Sequence, residues 1–209
     1  MKRILCIILI ASLAFTMFSC GKPGSAGDDL TPALTADAFL KALKAGDMDL
    51  LQQYYEGDVS DFSLEEEIDD PVLLALVQQM IEKILDFDYT LDNEQINGSS
   101  ATVDVLFKTY DFEGILKDLT GSIFSNIMSL GIFNMSEEDI EKKIYDVLSD
   151  ELSEALKSAE KTKDANVTIK LVKKGGKWMV KDMNRTDDLM HALSGGISKF
   201  AEDLEKMAG

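Results

Sequence analysis

The sequence predicts an α+β domain in which an antiparallel sheet of two hairpins is accompanied by helices. Three observations predict it: apolar residues recur every three or four positions in some segments, they alternate with polar residues in others, and turn-forming residues separate the alternating segments. The chain has 209 residues and is 45% hydrophobic, which suffices for one domain with a sizeable core. We therefore expect a single domain over residues 35–209.

The first nineteen residues have the composition of an export signal. Lys2 and Arg3 precede an apolar run over residues 4–18, which is too short to cross a membrane comfortably as a helix. A signal peptide over residues 1–19 is therefore predicted. Loss of its two basic residues would change the net charge of the chain from −17 to −19.

The end of this segment resembles the lipobox of bacterial lipoproteins. The motif is Met17-Phe18-Ser19-Cys20, and the resemblance implies that Cys20 is lipidated and becomes the new N-terminus. Residues 20–34 begin with a run of Gly, Pro and Ser that suits a flexible tether. The expected location is the extracytoplasmic face of the cell membrane, with lipid on Cys20 as the membrane contact. An ordinary secretory peptide with an incidental cysteine is the alternative.

Charge and cysteine content exclude several functions. With 38 acidic and 21 basic side chains and no basic patch, the chain is not expected to bind nucleic acid. Cys6 would leave with the signal peptide and Cys20 would carry lipid, so the domain itself has no thiol. Thiol catalysis, disulfide exchange and cysteine-ligated zinc are therefore excluded.

The N-terminal third of the domain is predicted to be helical. Apolar residues at helical spacing flank Gly46-Asp47, which predicts two short helices joined by a tight turn. A stronger helix is predicted to begin at Pro71, because a proline is well placed in a first turn. Its apolar stripe consists of Leu73, Leu76, Val77, Met80, Ile81 and Ile84.

Two hairpins follow from period-two alternation. The first joins the runs around Phe87–Leu91 and Val103–Phe107 through a turn at Asn97-Gly98. The second joins Val167–Leu171 to Trp178–Val180 through Gly175-Gly176. Both hairpins are expected to belong to one sheet.

The remaining helices are predicted from apolar periodicity. An apolar insert lies between the hairpins over residues 112–135, and Ser136 has the form of an N-cap for the helix that follows. The insert could be helical core, a lid, a partner-binding surface or an element facing the bilayer. A last helix is predicted to begin near Asp187, although Gly195-Gly196 weakens it.

Short motifs in the chain resemble the nuclear-transport-factor-two-like, or SnoaL-like, superfamily of cystatin-like architecture. They are Ala45-Gly46-Asp47 between the paired helices, Tyr54-Tyr55 after them, and the late hairpin end Gly175–Val180. More narrowly, the chain resembles envelope lipoproteins of Gram-positive bacteria that carry such a domain. The resemblance implies a curved sheet wrapped by helices, with a cone that can hold a small apolar ligand. The pocket residues it suggests are Tyr89, Asp104, Phe107 and Trp178.

Neither a catalytic motif nor a cofactor-binding motif is present in the sequence, and no metal site is expected. The acidic stretch between Glu56 and Asp70 lacks calcium-loop spacing, so dipole-stabilised helix starts and a solvated loop explain it. We expect a non-enzymatic, lipid-anchored protein that binds a small apolar ligand or an envelope partner. One alternative is a ketosteroid-isomerase-like enzyme using Tyr89, Asp104 or His191 as acid or base. Another is a structural domain with a filled cavity.

Overall fold

The computed structural model describes residues 30–62, 71–129, 136–183, 187–197, 200 and 203. The predicted signal peptide, Cys20 and most of the tether lie outside these residues, as do the end of the apolar insert and most of the acidic stretch. Within them, the chain forms six α-helices and a four-stranded antiparallel sheet that is not closed. The predicted α+β class, with helices around a sheet of two hairpins, is therefore confirmed.

Helices α1 (Pro32–Ala45) and α2 (Met48–Gln52) form the predicted pair. Gly46 ends α1 in the left-handed conformation with φ 65°, and the Asp47 side chain caps α2 by accepting the Leu50 N–H. The tight turn predicted at these two residues is therefore present.

Helix α1 begins three residues before the predicted start of the domain at residue 35. The Thr31 side chain accepts the Leu34 N–H, and Pro32 occupies the first turn, where a missing N–H is harmless. Pro32 is also buried. Residues 32–34 therefore belong to the folded domain and not to the tether.

The sheet consists of β1 (Asp88–Asn97), β2 (Ser100–Tyr110), β3 (Lys161–Lys174) and β4 (Lys177–Val180) in the spatial order β1-β2-β3-β4. β2 pairs antiparallel with β3, so the two predicted hairpins do share one sheet. β3 is much longer than its predicted core segment. Only four of the fourteen residues of β3 pair with β4.

One face of the sheet is covered by α1, α2 and α6 (Asp188–Leu193). The main core lies between them. Burial of each large apolar side chain there contributes on the order of 1.5–3 kcal/mol. Its largest fully buried members are Phe39, Tyr55, Phe87, Phe107, Leu40 and Leu51. The opposite face carries mainly polar side chains, in agreement with the predicted wet face of the first hairpin.

A second, smaller core is formed by α3 (Pro71–Leu85), α4 (Phe112–Ser129) and α5 (Glu137–Ser158) at one end of the sheet. Its buried members are Leu76, Tyr110, Phe112, Leu119, Leu152 and Leu156. Ser136 caps α5 as predicted, since its side chain accepts the Asp139 N–H. The described part of the apolar insert is thus α4, and its first two turns pack into this core.

The outer edge of β4 is covered by the segment that follows α2. The Glu56 N–H donates to the Val180 carbonyl at 2.9 Å, and the Val180 N–H donates to the Tyr54 carbonyl at 2.7 Å. Tyr55 and Val180 form an isolated parallel bridge. Residues from the two ends of the domain therefore close this edge together.

Helix α6 ends at Leu193, and helical conformation recurs at Ile197, Phe200 and Asp203, so the predicted last helix is present in two parts. Gly195 and Gly196 both have positive φ, so they break the helix where the sequence suggested only a weakening. None of the helices that the structure describes is both long and apolar enough to cross a membrane.

Candidate binding groove

Tyr89 and Phe107, two of the predicted pocket residues, lie side by side in the main core. They are cross-strand partners with ring centroids 6.4 Å apart, and the Phe87 ring centroid lies 5.6 Å from that of Phe107. Phe107 has no solvent-exposed surface. Aromatic side chains therefore occupy the space in which the resemblance places a ligand.

The Tyr89 hydroxyl is used to hold α1 against β1. It donates to Asp37 Oδ1 at 2.8 Å, and Lys41 Nζ lies 2.6 Å from the other Asp37 oxygen. Burial and then the hydrogen bond to Asp37 raise the pKa of Tyr89 above its usual range. The hydroxyl therefore stays protonated at neutral pH and is a poor candidate for a general base.

Asp104 lies on the opposite face of the sheet from Tyr89. It is an odd number of residues from Phe107, and side chains alternate between the faces of a strand. Its carboxylate accepts hydrogen bonds at 2.7 Å from Thr168 Oγ1 and from Asn93 Nδ2. These two bonds, with Thr168 the stronger influence, lower the pKa of Asp104. The structure does not bring Asp104 and Tyr89 together.

Trp178 is in the main core, but it is far along the sheet from Phe107. Phe107 pairs with Ala165 of β3, whereas Trp178 pairs with Lys173. Eight residues of a β-strand span about 26 Å. Lys173 Nζ lies 5.5 Å from the centroid of the Trp178 ring. The four predicted residues therefore do not form one pocket.

A different concave site lies along β3. Two adjoining cavities, each of about 380 Å³, share Asn166, Val167 and Asp188 in their walls. We call the combined feature the β3 groove. Lys163 and residues 165–170 form one wall, and residues 181–183, 187–189, 191, 192 and 196, with Glu113, form the rest.

The β3 groove has an apolar floor and a polar rim. Val167, Ile169, Leu189 and Ala192 are buried members of the main core that also line it. Asp182 and Asp188 lie exposed at the rim, together with Lys170 and Lys181. His191, the alternative catalytic residue, lines one end and is partly buried.

The β3 wall of the groove includes an open backbone edge. The Lys173 N–H donates to the Ser99 carbonyl on the β2 side, whereas the Lys170 carbonyl accepts the Lys181 N–H on the opposite side, both at 2.8 Å. Because backbone groups alternate along an antiparallel strand, residues 164, 166 and 168 also face away from β2.

β4 is too short to pair with these outward-facing backbone groups. β4 reaches only Leu171–Lys174, and the described residues supply no backbone partner on that side to Asp164, Asn166 or Thr168. Among the described residues, Asn166 and Thr168 therefore have an N–H and a carbonyl without a strand partner at the groove, and Asp164 extends this row beyond it. Such a row is a template for an added strand.

Lys163 fastens the end of α6 beside the groove. Its Nζ lies 3.1 Å from Asp111 Oδ1, 3.0 Å from Glu113 Oε2 and 3.3 Å from the Gly195 carbonyl. Hydrogen bonds from Lys117 and then Lys163 lower the pKa of Glu113 to about 2. Burial lowers the pKa of Lys163, but its hydrogen bonds to Glu113 and Asp111 outweigh this and raise it. The ammonium group thus stays charged.

Gly195 is required at this contact by its conformation and by its neighbours. It has φ 56°, and a Cβ there would overlap the Tyr110 carbonyl oxygen and lie 2.6 Å from Phe112 Cδ2. Its carbonyl also accepts the Glu113 N–H at 3.2 Å. The turn after α6 therefore packs directly on the start of α4.

The β3 groove offers several kinds of contact to a ligand. Within the described part of the chain, no group of three or more His, Cys, Asp or Glu side chains is placed to hold a metal ion. The floor offers apolar surface, the rim offers charge, and the edge offers backbone hydrogen bonds.

Sequence reasoning missed the groove because residues 161–166 are mostly polar and show no apolar alternation. The available signal was the unequal length of the two strands of the second hairpin. A long charged strand opposite a four-residue partner leaves an edge open.

Comparison with known proteins gives little information on function. No protein-family model matches the chain, and no curated protein matches it. A solved structure of a candidate lipoprotein, ycdA of Bacillus subtilis, is similar with a TM-score of 0.40 and 16% sequence identity. The match covers 75% of this chain and 45% of that one, so this chain spans less than half the length of the Bacillus protein. Similarity at this level does not define a shared fold.

Proposed function

We propose that this protein is a lipid-anchored, extracytoplasmic domain that binds an envelope partner without catalysing a reaction. The observation that carries the binding role is the contrast between two places in the domain. The space around Tyr89 and Phe107 is filled by aromatic side chains, whereas the β3 groove is a cavity with a backbone edge to which the described residues supply no strand partner.

The anchoring role is supported by the order of the N-terminal segments. A basic start, an apolar run and Ser19-Cys20 are followed by a Gly-rich and Ser-rich stretch, and α1 begins soon after at Pro32. A cysteine at the predicted cleavage site and a spacer before the fold, the two features that the lipoprotein proposal requires, thus stand in the expected order.

Replacement of Cys20 tests the anchor. We expect Cys20→Ala, produced in a bacterial host that lipidates lipoproteins, to move the protein from the membrane fraction to the medium or to leave uncleaved precursor. Cys6→Ala is the matched control, because Cys6 lies within the predicted signal, and it should leave membrane retention unchanged. Retention of Cys20→Ala in the membrane at the wild-type level would refute lipidation at Cys20.

The finer structural proposal is that the domain is a modified NTF2-like fold. Paired N-terminal helices joined at Gly46-Asp47 lie over an antiparallel sheet, which supports it. In such a fold the ligand would lie between α1 and the sheet, where Phe39, Tyr55 and Phe107 are fully buried in this chain. The proposed binding site is therefore moved to the edge of the sheet.

An enzyme of the ketosteroid-isomerase type is the second candidate, since Tyr89 and Asp37 form a partly buried tyrosine-carboxylate pair. The raised pKa of Tyr89 and the filled core beside it favour a structural role for the pair. Native mass spectrometry of the purified protein separates the candidates. A co-purifying apolar molecule that Tyr89→Phe releases would place a ligand in the main core and contradict the partner-binding proposal.

A further inference from the structure

We propose that the β3 groove binds an extended, basic segment of another polypeptide, which adds to β3 as an antiparallel fifth strand. The proposal rests on the partner-binding function above and names its site and its ligand class. It depends on the open edge, on the position of α6 and on the charge around the groove.

The open edge defines the backbone part of the interaction. Asp164, Asn166 and Thr168 present their N–H and carbonyl groups on the side from which β4 is missing. A segment lying antiparallel to β3 would pair with all three, as strands do when they are added to a sheet. The added strand would continue the line of β4, which ends at Val180.

Helix α6 lies beside this edge and lines the other side of the groove. Leu189 and Ala192 face the same core as Val167 and Ile169, so side chains on one side of the added strand would enter apolar surroundings. Extended peptides commonly bind by adding to an exposed sheet edge, with pockets beside it for alternate side chains. The two cavities together follow β3 from Lys163 to Lys170, which is long enough for a segment of several residues.

Charge selects a basic segment. The exposed charged side chains along this part of the groove and the adjoining β3 residues are acidic at Asp164, Asp182 and Asp188 and basic at Lys170 and Lys181, so acidic groups outnumber basic ones there. Lys163 is already held by Asp111 and Glu113. The whole chain carries a net charge of −17, so an approaching basic segment is attracted at long range.

These features predict a sequence pattern for the ligand. Small apolar side chains should alternate with Lys or Arg, because neighbouring residues of a strand point to opposite faces. Directly paired residues of antiparallel strands project to the same face. The residues whose backbone faces Asn166 and Thr168 should therefore be the basic ones, pointing outward with the side chains of β3.

A capped synthetic peptide, Val-Lys-Val-Lys-Val-Lys-Val, tests this with the full-length protein in detergent micelles. We expect saturable binding by fluorescence anisotropy and slower hydrogen exchange at the Asn166 and Thr168 amides. The same peptide N-methylated on its lysines should lose binding, whereas N-methylation on its internal valines should preserve it. Equal affinity of the two methylated peptides, or no binding of the parent peptide, would overturn the proposal.

Variants of the protein test the same edge from the other side. Asn166→Pro removes one outward N–H and should weaken binding at least about tenfold, because a proline can occupy an edge strand but cannot donate. Asn166→Ala is the matched control and should bind like the wild type. Should Asn166→Pro fail to fold by circular dichroism, Asp182→Asn with Asp188→Asn takes its place and should weaken binding and reduce its salt dependence.

Two other occupants are distinguished by measurements on the protein alone. Amides of Asn166 and Thr168 that are already protected from exchange in a monomer would assign the edge to another segment of this chain. A dimer in analytical ultracentrifugation that Asn166→Pro dissociates would assign it to a second copy. Either result overturns the proposal. None of these results affects retention of the protein by Cys20, so the anchor stands or fails separately.

Discussion

The sheet has two long edges. One is β1, and the other is the part of β3 that extends beyond β4. The two edges differ in the features that limit pairing with a further strand. The β1 edge is irregular, since its register with β2 shifts between Asp92 and Gln95 and Asn93 has φ 51°. Glu94 next to this bulge accepts the Ala33 N–H at the start of α1 at 2.7 Å. A bulge and a charged side chain are features that prevent pairing with another strand.

The β3 edge has a regular register with β2 from Val172 back to Lys163. Helix α6 lies beside this edge, and the β3 groove lies between the helix and the strand. A bulge blocks an edge for every strand, whereas a helix at a distance admits a narrow segment and excludes a broad surface. The β1 edge therefore has features that oppose strand pairing, and the proposed fifth strand would pair with the β3 edge, which lacks such a bulge between Lys163 and Val172.

Gly195→Ala is expected to have the largest effect on stability, because it should detach α6 from its position beside β3. The added Cβ would overlap the Tyr110 carbonyl and the Phe112 ring and would require positive φ. We expect the free energy of unfolding, measured with urea, to fall by about 3 kcal/mol or more.

Gly175→Ala is the control for that substitution. Gly175 has φ 57°, but nothing lies within 4 Å of the position that an added Cβ would occupy, so only about 1 kcal/mol should be lost. Equal losses in the two variants would show that the contact with Tyr110 does not matter. Light scattering should also reveal concentration-dependent association for Gly195→Ala only, because its β3 edge is exposed.

Thr109→Val, at a position that pairs with the first residues of the β3 edge, should stabilise the protein. Thr109 pairs with Lys163 and is buried, and its hydroxyl finds no hydrogen-bond partner among the described residues. Removal of a buried, unsatisfied hydroxyl should raise the free energy of unfolding by about 1 kcal/mol. Thr109→Ser retains the hydroxyl and should not be stabilised. A loss of stability in Thr109→Val would mean that the hydroxyl is hydrogen-bonded.

Glu113→Gln should weaken the attachment of α6 in a pH-dependent way. The pKa of Glu113 is lowered from 4.5 to about 2, so the stabilisation by its ionised form is complete above pH 4.5 and is lost as the pH falls toward 2. We expect the variant to be less stable than wild type by roughly 1 kcal/mol at pH 7 and equal to it near pH 2.

Urea titrations at a series of pH values measure this difference. Asp118→Asn, on the same helix and exposed, is the control and should give a nearly constant offset. A wild-type advantage over Glu113→Gln that persists unchanged to pH 2 would contradict the assignment.

Glu94→Ala should have the smallest effect and concerns the β1 edge. Its carboxylate accepts the Ala33 N–H and lies at the positive end of the α1 dipole. We expect a loss of about 0.5 kcal/mol, and a smaller loss for Glu94→Gln, which retains an acceptor. Thermal unfolding in low salt measures both variants, and a larger loss in Glu94→Gln than in Glu94→Ala would exclude the dipole interaction.

Local signals in the sequence predicted the elements of this fold because each was complete within a few residues. Gly46-Asp47 specified the junction of α1 and α2, and Ser136 specified the start of α5. The alternation around Val103 and Val167 placed both strands and assigned their buried faces correctly. Where apolar side chains alternate, local pattern and tertiary burial coincide.

The candidate site could not be predicted in the same way because it depends on where elements end relative to each other. The N-terminal part of β3 is polar, and only its pairing with β2 makes it a strand. The position of α6 depends on Lys163, Glu113 and Gly195, which are distant in the sequence. The sequence pattern predicts that Tyr89 and Asp104 both lie on strands. Their shared pocket is inferred from the resemblance to a superfamily alone, and it is absent because the two side chains point to opposite faces of the sheet.

The hydrogen bond between the Tyr55 hydroxyl and Asp182, 127 positions apart, has a consequence for how the chain folds. Tyr55 also bridges Val180, so the segment after α2 cannot find its place before β4 has been synthesised. Helices α1 and α2 are synthesised before β3 and β4, so their apolar faces would remain exposed until those strands are available. Contacts of such long sequence separation slow folding. A chain of this kind remains unfolded for longer, which is compatible with the proposal that the protein is exported before it folds.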